Sequence, residues 1–271
     1  MGLRINTNVA AIDTGRILNR NTQALNKSLQ RLSSGLRINS AADDAAGLAI
    51  AEGFNSMVRG TDMAQRNAQD GVSLAQTAEG ALSETTNILQ RIRELAVQAA
   101  NGTQSTNNRI AIDSEVLQLL SQIDSIATDT DFNGIRVLSA AQTVTLQAGA
   151  MTSQTLVIAV SGAKTNDLGI NAVRVSTMAA AVAAISTIDN AINSVSTLRG
   201  KFGAYQNRLE FTINTLAIQQ ENSAASQSAI RDANIASETS AFTRNQILVS
   251  AGTSVLAQAN LVPQTALTLL R

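Results

Sequence analysis

The stretch that decides the fold is residues 245–270, NQILVSAGTSVLAQANLVPQTALTLL, which contains no charged residue. Apolar residues recur in it every seven positions: Leu248, Val255 and Val262, with Val249 and Leu256 beside the first two. On a helix this spacing places the apolar side chains along one continuous face. A helix with such a face at the end of a chain needs partners that bury it.

The opposite end of the chain repeats the spacing. Leu18, Leu25 and Leu32 lie seven residues apart, and the second position of the same repeat holds Thr22, Leu29 and Leu36. An out-and-back chain would pair this helix with the C-terminal one, and we expect neighbouring copies to order the pair. The predicted polymerisation stripe comprises Leu18, Leu25, Leu29, Leu32, Leu36, Leu248, Val255, Leu256 and Val262.

The composition favours long helices packed side by side. Aromatic residues make up 2% of the 271 residues, and there is one Pro. The chain has no His or Cys, which excludes the usual catalytic triads and zinc sites, and we expect neither an enzyme nor a cofactor. The net charge is zero, which gives no electrostatic support for a nucleic-acid partner. No apolar run approaches the roughly 20 residues of a membrane span, so we expect no membrane insertion.

Local signals divide the chain into helices and a hairpin. We predict helices over 5–36, 45–100 and 108–127, with Ser40 to Asp43 as a capping box before the second helix. FNGI at 132–135 is a turn signal, and two alternating runs around Val144 and Ile158 predict a β-hairpin. Helical spacing resumes after Ser176, fades over 219–227 and starts again near Asp232.

These elements predict a mainly α protein of long antiparallel helices with a small β-hairpin. Its division into a coiled-coil inner domain and a helical rod domain is implied by the family resemblance given below. The predicted boundaries are 1–44 for the N-terminal half of the inner domain with its connector, and 45–176 for the rod helices and hairpin. Residues 177–229 form the returning rod helix, and 230–271 form the C-terminal half of the inner domain.

The sequence resembles bacterial flagellin over about 1–140 and 180–271. The N-terminal motifs are LSSGLRINS at 32–40, DDAAGLAI at 43–50, QDG at 69–71, TAEGAL at 77–82, QRIRELAVQ at 90–98 and FNG at 132–134. The C-terminal motifs are QNRL at 206–209, VLAQAN at 255–260, PQ at 263–264 and LLR at 269–271.

The resemblance implies a structural subunit that self-assembles into the extracellular flagellar filament used for motility. It also implies export in unfolded form through the flagellar type III apparatus, with a chaperone, a cap protein and junction proteins as partners. There is no room between the hairpin and the returning helix for the outer variable domains of longer members. A short-form, slim filament subunit is therefore expected.

The resemblance also implies two recognition segments. In flagellins that stimulate the Toll-like flagellin receptor, the recognised patch lies on the rod helices, and the matching set here is Gln90, Arg91, Leu95, Gln98, Glu115 and Arg208. The alternative role of this set is contact between subunits along the filament. The terminal Leu267, Leu269 and Leu270 resemble the segment that cytosolic flagellin receptors sense.

Two other hypotheses remain open from the sequence. A hook–filament junction protein shares related termini, although the dense match of the final segment and the short middle favour a filament protein. A non-flagellar helical adaptor, or a hydrolase, would need a convergent acid, base and nucleophile, and the sequence shows no such set.

Overall fold

The computed structural model describes residues 7–268, with side chains as far as residue 261. This part of the protein forms five helices and four short strands: α1 (Val9–Ser34), α2 (Ala45–Ala100), α3 (Thr106–Asp129), β1 (Asp131–Phe132), β2 (Ile135–Arg136), β3 (Gln142–Gln147), β4 (Thr155–Val160), α4 (Met178–Arg231) and α5 (Ile235–Thr268). The predicted mainly α class with a small β-hairpin is confirmed.

A polar residue caps the start of each of these helices. In each case the side-chain oxygen accepts a hydrogen bond from the backbone N–H three residues further on, which satisfies one of the free donors of the first turn. The capping residues are Asn8, Asp44, Ser105, Thr177 and Asn234. Local sequence therefore decides where the helices begin.

Helix α1 is shorter than predicted at its start and ends where predicted. It begins at Val9 because Asn8 caps it through its side-chain oxygen, whereas the sequence pattern alone suggests a start near residue 5. Its C-terminus is closed by Gly35, which has a φ of 69°. This left-handed conformation favours glycine, which has no Cβ.

The predicted capping box at Ser40 is wrong as the start of α2, because Asp44 caps that helix through Gly47 N. Ser40 and Asp43 form a separate turn, in which the Asp43 carboxylate accepts hydrogen bonds from the N–H groups of Asn39 and Ser40. The predicted α2 range of 45–100 is confirmed.

Both predicted β signals are confirmed. Asn133 and Gly134 have φ values of 52° and 80° and connect β1 to β2 in a two-residue turn, as expected for an Asn-Gly pair. Strands β3 and β4 pair antiparallel from Gln142 opposite Val160 to Gln147 opposite Thr155. Alternate β4 side chains are buried, beginning with Leu156.

The protein forms two compact units, 57–221 and a second that combines 1–56 with 222–271. The core of the 57–221 unit is built by one face each of α2, α3 and α4, the inner face of β4 and the 161–177 loop. Its largest fully buried side chains include Leu82, Ile123, Ile158, Ile170 and Phe202. Aliphatic residues thus supply nearly all of this core.

The terminal unit extends beyond the predicted boundaries at 44 and 230. Its α2 segment contains the buried Ala51 and its α4 segment contains the buried Ser223. Helix α4 also runs without interruption through 219–227, where the apolar pattern fades. Because Ala, Gln and Ser tolerate helical conformation, the fading pattern there does not end the helix.

The β3–β4 turn packs closely on Gly60 of α2, and this contact gives a stability test. A Cβ at Gly60 would lie 2.8 Å from Ala150 Cβ and 3.3 Å from Ala150 Cα, whereas a Cβ at Gly80 would meet nothing within 4 Å. We expect Gly60→Ala to lower the unfolding free energy by about 1 kcal/mol through overpacking, and Gly80→Ala to raise it by up to about 1 kcal/mol. Urea unfolding of both variants measures this. A Gly60→Ala protein as stable as Gly80→Ala would contradict the packing.

Candidate assembly surfaces

Helices α1 and α5 pack antiparallel along a narrow seam. Asn8 Nδ2 donates to the Ala259 carbonyl at 2.8 Å at one end, and Arg31 lies 3.7 Å from Glu238 towards the other. Midway, a Cβ at Gly252 would lie 3.1 Å from Leu18 Cδ1, so the absence of a side chain lets Leu18 approach the α5 backbone. Gly252 and Ala259 thus take part in a seam that apolar spacing alone did not reveal.

The predicted polymerisation stripe is divided between two faces. Leu18, Leu25, Leu32, Leu36 and Leu256 are half-buried, as expected of seam residues. Three members are exposed instead, with exposed fractions of 54% for Leu29, 43% for Leu248 and 53% for Val255. The side chain of Val262 lies outside the described residues. Only part of the predicted stripe is therefore packed within the molecule, and the rest faces outwards.

The exposed members belong to a wider apolar surface on the two terminal helices. Next to Leu29, Ser28 is the buried residue of α1. An α-helix has about 3.6 residues per turn, so residues spaced by seven shift gradually around its axis and do not all face the seam. The exposed large apolar residues described on the two helices are Val9, Ile12, Ile17, Leu29, Ile235, Ile247, Leu248, Val255 and Leu261. Such a surface indicates contact with other molecules.

The connector that follows α1 is fastened to the α4–α5 break. Leu36 and Asp232 form an antiparallel bridge, and the Arg37 side chain donates to the carbonyl of Ile230. Arg231 also pairs with Glu52 at 2.8 Å. These bonds join the outgoing and returning limbs where both leave helical conformation.

A second fastening joins α1 to the connector. Lys27 Nζ lies 2.7 Å from Asp43 Oδ1. The hydrogen bond from Lys27, followed by the one from the Asn39 backbone N–H, lowers the pKa of Asp43 from 3.8 to about 2. Asp43 therefore stays ionised well below the usual range of a carboxyl group.

The predicted recognition set of Gln90, Arg91, Leu95, Gln98, Glu115 and Arg208 is called the rod patch. It includes an ion pair between α2 and α3. Arg91 lies 3.0 Å from Glu115 and 3.2 Å from Glu94, and these carboxylates raise the pKa of Arg91. Gln90 and Gln98 are exposed on the same helix as Arg91. The structure thus brings together four of the six predicted patch residues.

The other two predicted patch residues lie apart from this ion pair. Leu95 is only 2% exposed and belongs to the core, so its side chain is not available for contact with a partner. Arg208 is exposed, but it lies 19 residues beyond Asp189, the α4 residue that pairs with Arg93 of α2 at 2.6 Å. At about 1.5 Å per residue it is roughly 28 Å further along the helix. Motif matching could not separate core from surface positions, because both occur within QRIRELAVQ.

Beside Arg208 lies an apolar surface that the sequence reasoning missed. Phe211 and Ile218 are 72% and 62% exposed and lie seven residues apart on α4. Arg208 and Phe211 also line a groove of about 380 Å³ beneath the β3–β4 turn. The seven-residue spacing was a signal for this surface, but Leu209 and Leu216 next to it share that spacing and are buried.

No group of three or more acidic side chains among the described residues could hold a metal ion. By length and composition, α4 contains a segment apolar enough to cross a membrane, contrary to the expectation from apolar runs. This is weak evidence for a span, since buried residues such as Ile188 and Val195 place one face of α4 in the core.

Known protein families match both the outgoing and the returning helical limb of the chain. The bacterial flagellin N-terminal helical region matches residues 5–143, and the bacterial flagellin C-terminal helical region matches residues 185–270. The chain is 43% identical to the flagellin of Bacillus subtilis, with 99% of this chain and 100% of that protein covered. It is 42% identical to the flagellar filament 31.3 kDa core protein of Treponema maltophilum, with 98% and 99% covered.

Solved structures agree with these matches. The crystal structure of Bacillus cereus flagellin is 33% identical, covers 56% of this chain and 88% of its own, and aligns with a TM-score of 0.51. The structure of a protein described as a flagellar hook-associated protein of Vibrio parahaemolyticus is 13% identical with a TM-score of 0.59, over 70% of this chain and 100% of its own. At that identity the likeness shows the fold alone.

The fold and the exposed terminal helices define a helical protein that assembles with other chains. This chain belongs to the bacterial flagellin family. It is a structural subunit of the extracellular flagellar filament, and the comparisons do not favour the junction-protein alternative. The family is structural, in agreement with the expectation that the protein is not an enzyme.

The low pKa of Asp43 predicts acid sensitivity of the terminal unit. Because the folded-state value of about 2 is below the ordinary 3.8, the Lys27–Asp43 contribution is present above pH 3.8 and is lost as the pH falls towards 2. We expect the unfolding midpoint of Asp43→Asn to depend less on pH in this window than that of the unmodified protein. Thermal unfolding followed by circular dichroism measures the difference, and parallel pH profiles would contradict the assignment.

Proposed function

We propose that the protein polymerises by burying the exposed apolar surface of α1 and α5 against the terminal helices of neighbouring copies. The observation that carries this proposal is the division of the α5 stripe. Leu256 lies in the seam of its own molecule, while Leu248 and Val255 remain exposed. Self-assembly into the filament is a property of the family. The exposed residues of α1 and α5 are proposed to make the contacts between copies.

The absence of charge from 245–270 supports burial of α5 among many copies. An ion buried without a partner costs several kcal/mol, whereas Ser, Thr, Gln and Asn side chains can bond to water or to one another. A helix of this composition can therefore contact several neighbours in different orientations. The nearest described charge before this stretch is Arg244, one residue before it begins.

A second contact between copies is proposed on the 57–221 unit. Phe211 and Ile218 form an exposed apolar strip with Arg208 beside it. Large apolar side chains that are exposed side by side are typical of contact surfaces. Arg91 and Glu115, with the two glutamines of the rod patch, would supply a polar contact elsewhere on the same unit, in accordance with the role expected for rod contacts.

Export and capping partners are further parts of the proposal. Before assembly, Ile247, Leu248, Val255 and Leu261 expose apolar surface along α5. An export chaperone that covers the C-terminal segment would protect this surface, and a cap protein would guide its burial at the growing end. The absence of cysteine removes disulfide cross-linking as an obstacle to export in unfolded form.

Recognition by host flagellin receptors is proposed for the exposed part of the rod patch. The Arg91–Glu115 pair presents both charges at the surface, with side-chain exposed fractions of 52% and 46%. Leu95 would support this surface from the core. The cytosolic-sensor segment remains a prediction, since Leu269, Leu270 and the side chain of Leu267 lie outside the described residues.

Substitutions at the adjacent α5 residues Val255 and Leu256 distinguish an effect on assembly from an effect on folding. We expect Val255→Ser to leave the helical content of the monomer unchanged and to raise the critical concentration for elongation about fivefold, from about 1 kcal/mol of lost apolar burial. Leu256→Ser removes a seam contact and should lower monomer stability as well. Seeded elongation and circular dichroism provide the two readouts. Equal elongation by Val255→Ser and the unmodified protein would overturn the proposed face.

Charge exchange tests the rod patch. Arg91→Glu places three carboxylates together and should impair both elongation and receptor activation. The double variant Arg91→Glu with Glu115→Arg restores an ion pair with its polarity reversed. If neighbouring copies and receptors contact these charges directly, the double variant stays impaired in both assays while its monomer stability recovers. Full recovery in both assays would show that the pair serves folding alone.

A further inference from the structure

The structure contains two Asn-Gly pairs in turns, at 101–102 and 133–134, and their surroundings differ in charge. In such a pair the backbone nitrogen of glycine can attack the side-chain amide carbon of asparagine, because glycine has no Cβ to obstruct the approach. We infer that Asn101–Gly102 is a self-modification site, at which the asparagine deamidates spontaneously while Asn133–Gly134 is protected. This inference is independent of the proposed assembly contacts.

The reaction needs only water. Gly102 N loses its proton and bonds to Asn101 Cγ, the bond between Asn101 Cγ and Nδ2 breaks, and ammonia leaves with the proton returned to it. The resulting five-membered imide is opened by water at either carbonyl. One opening gives an aspartate at position 101, and the other gives isoaspartate, in which the backbone runs through the former side chain. Nothing is oxidised or reduced.

The 101–102 peptide is placed to give up its proton. Arg109 Nη2 donates to the Asn101 carbonyl oxygen at 3.0 Å, and Gln104 N donates to the same oxygen at 3.2 Å. When Gly102 N is deprotonated, negative charge is shared with this oxygen, so a guanidinium there stabilises the anion. The N–H of Gly102 has no hydrogen-bond partner among the described residues.

The electrophile and the space around it are also favourable. Thr103 N donates to Asn101 Oδ1 at 3.2 Å, which draws electrons from the amide carbon under attack. Asn101, Gly102 and Thr103 are exposed, so water reaches the imide. Apart from Gly102 itself and its two chain neighbours, no residue has an atom within 4 Å of the position that a Gly102 Cβ would occupy. The turn therefore accommodates both the ring and its products.

The second pair has the opposite environment. The Gly134 N–H donates to the Asp131 carboxylate at 3.1 Å. A negative acceptor holds this proton and disfavours the nitrogen anion that must attack. Asn133 and Gly134 are also held in left-handed conformation by the β1–β2 turn, which opposes rearrangement into the ring. The same dipeptide is thus activated in one turn and protected in the other.

The product changes the α2–α3 turn. Each event adds a negative charge to a protein whose formal net charge is zero. The new carboxylate lies at the C-terminal end of α2, where the helix dipole disfavours it, although Arg109 already contacts the main chain of the same residue. The fraction of copies that carry this extra negative charge therefore increases with the age of the protein.

Ageing of the purified full-length protein at mildly alkaline pH tests the inference. Peptide mapping by mass spectrometry follows conversion of each asparagine, and isoaspartate is identified by its separate elution. We expect Asn101 to react at least about tenfold faster than Asn133, which corresponds to a barrier difference of about 1.4 kcal/mol. In denaturing urea the two rates should converge. Equal rates in the folded protein, or a faster rate at Asn133, would overturn the inference.

Three variants separate the causes. Gly102→Ala should slow reaction at Asn101 strongly, because a methyl group obstructs the attacking nitrogen. Arg109→Gln should slow it several-fold by removing the cation, while a faster rate would show that the guanidinium only holds the turn and would refute its proposed role. Asp131→Asn should accelerate reaction at Asn133 and leave Asn101 unchanged. Circular dichroism of each variant establishes that the helices remain folded.

Discussion

One molecule alone can cover only one face of each terminal helix, and the rest of the assembly chemistry depends on this limit. Helices α1 and α5 meet along one narrow seam, where Gly252 allows Leu18 to approach. Two helices alone have no third layer to bury their other faces. Val255 therefore remains exposed next to Leu256, although both belong to the same charge-free segment.

The 57–221 unit meets the same problem differently. Here a third helix, a hairpin and a loop are available, and together they bury complete faces of α2 and α4. Carboxylates on α3 hold the loop in place, since Asp124 accepts hydrogen bonds from Thr165 and Asp113 accepts one from Val175 N. Polar anchors position this loop, and its apolar residues, including Ile170, then complete the core.

Several ion pairs join separate helices or lie where helices end. The Lys27–Asp43, Arg231–Glu52 and Arg37 contacts occupy the connector region of the terminal unit. Exposed pairs of this kind contribute little to stability singly, but they select one arrangement among several that apolar packing would permit. In the α1–α5 seam, the Arg31–Glu238 ion pair towards one end and the Asn8–Ala259 hydrogen bond at the other favour one register of the two helices.

The sequence by itself determined the helices and the hairpins, because these depend on neighbouring residues such as the Asn133-Gly134 pair. The pattern did not locate every cap, since α1 begins after Asn8 and α2 after Asp44 rather than where the apolar spacing and the Ser40 motif indicate. The sequence also determined family membership, through motifs spread along both limbs. Only the tertiary structure decided which side of each apolar stripe is covered. Leu95 lies in the core, whereas Phe211 and Leu248 lie at the surface, since burial depends on which distant segments pack against a helix and spacing along one helix carries no record of them.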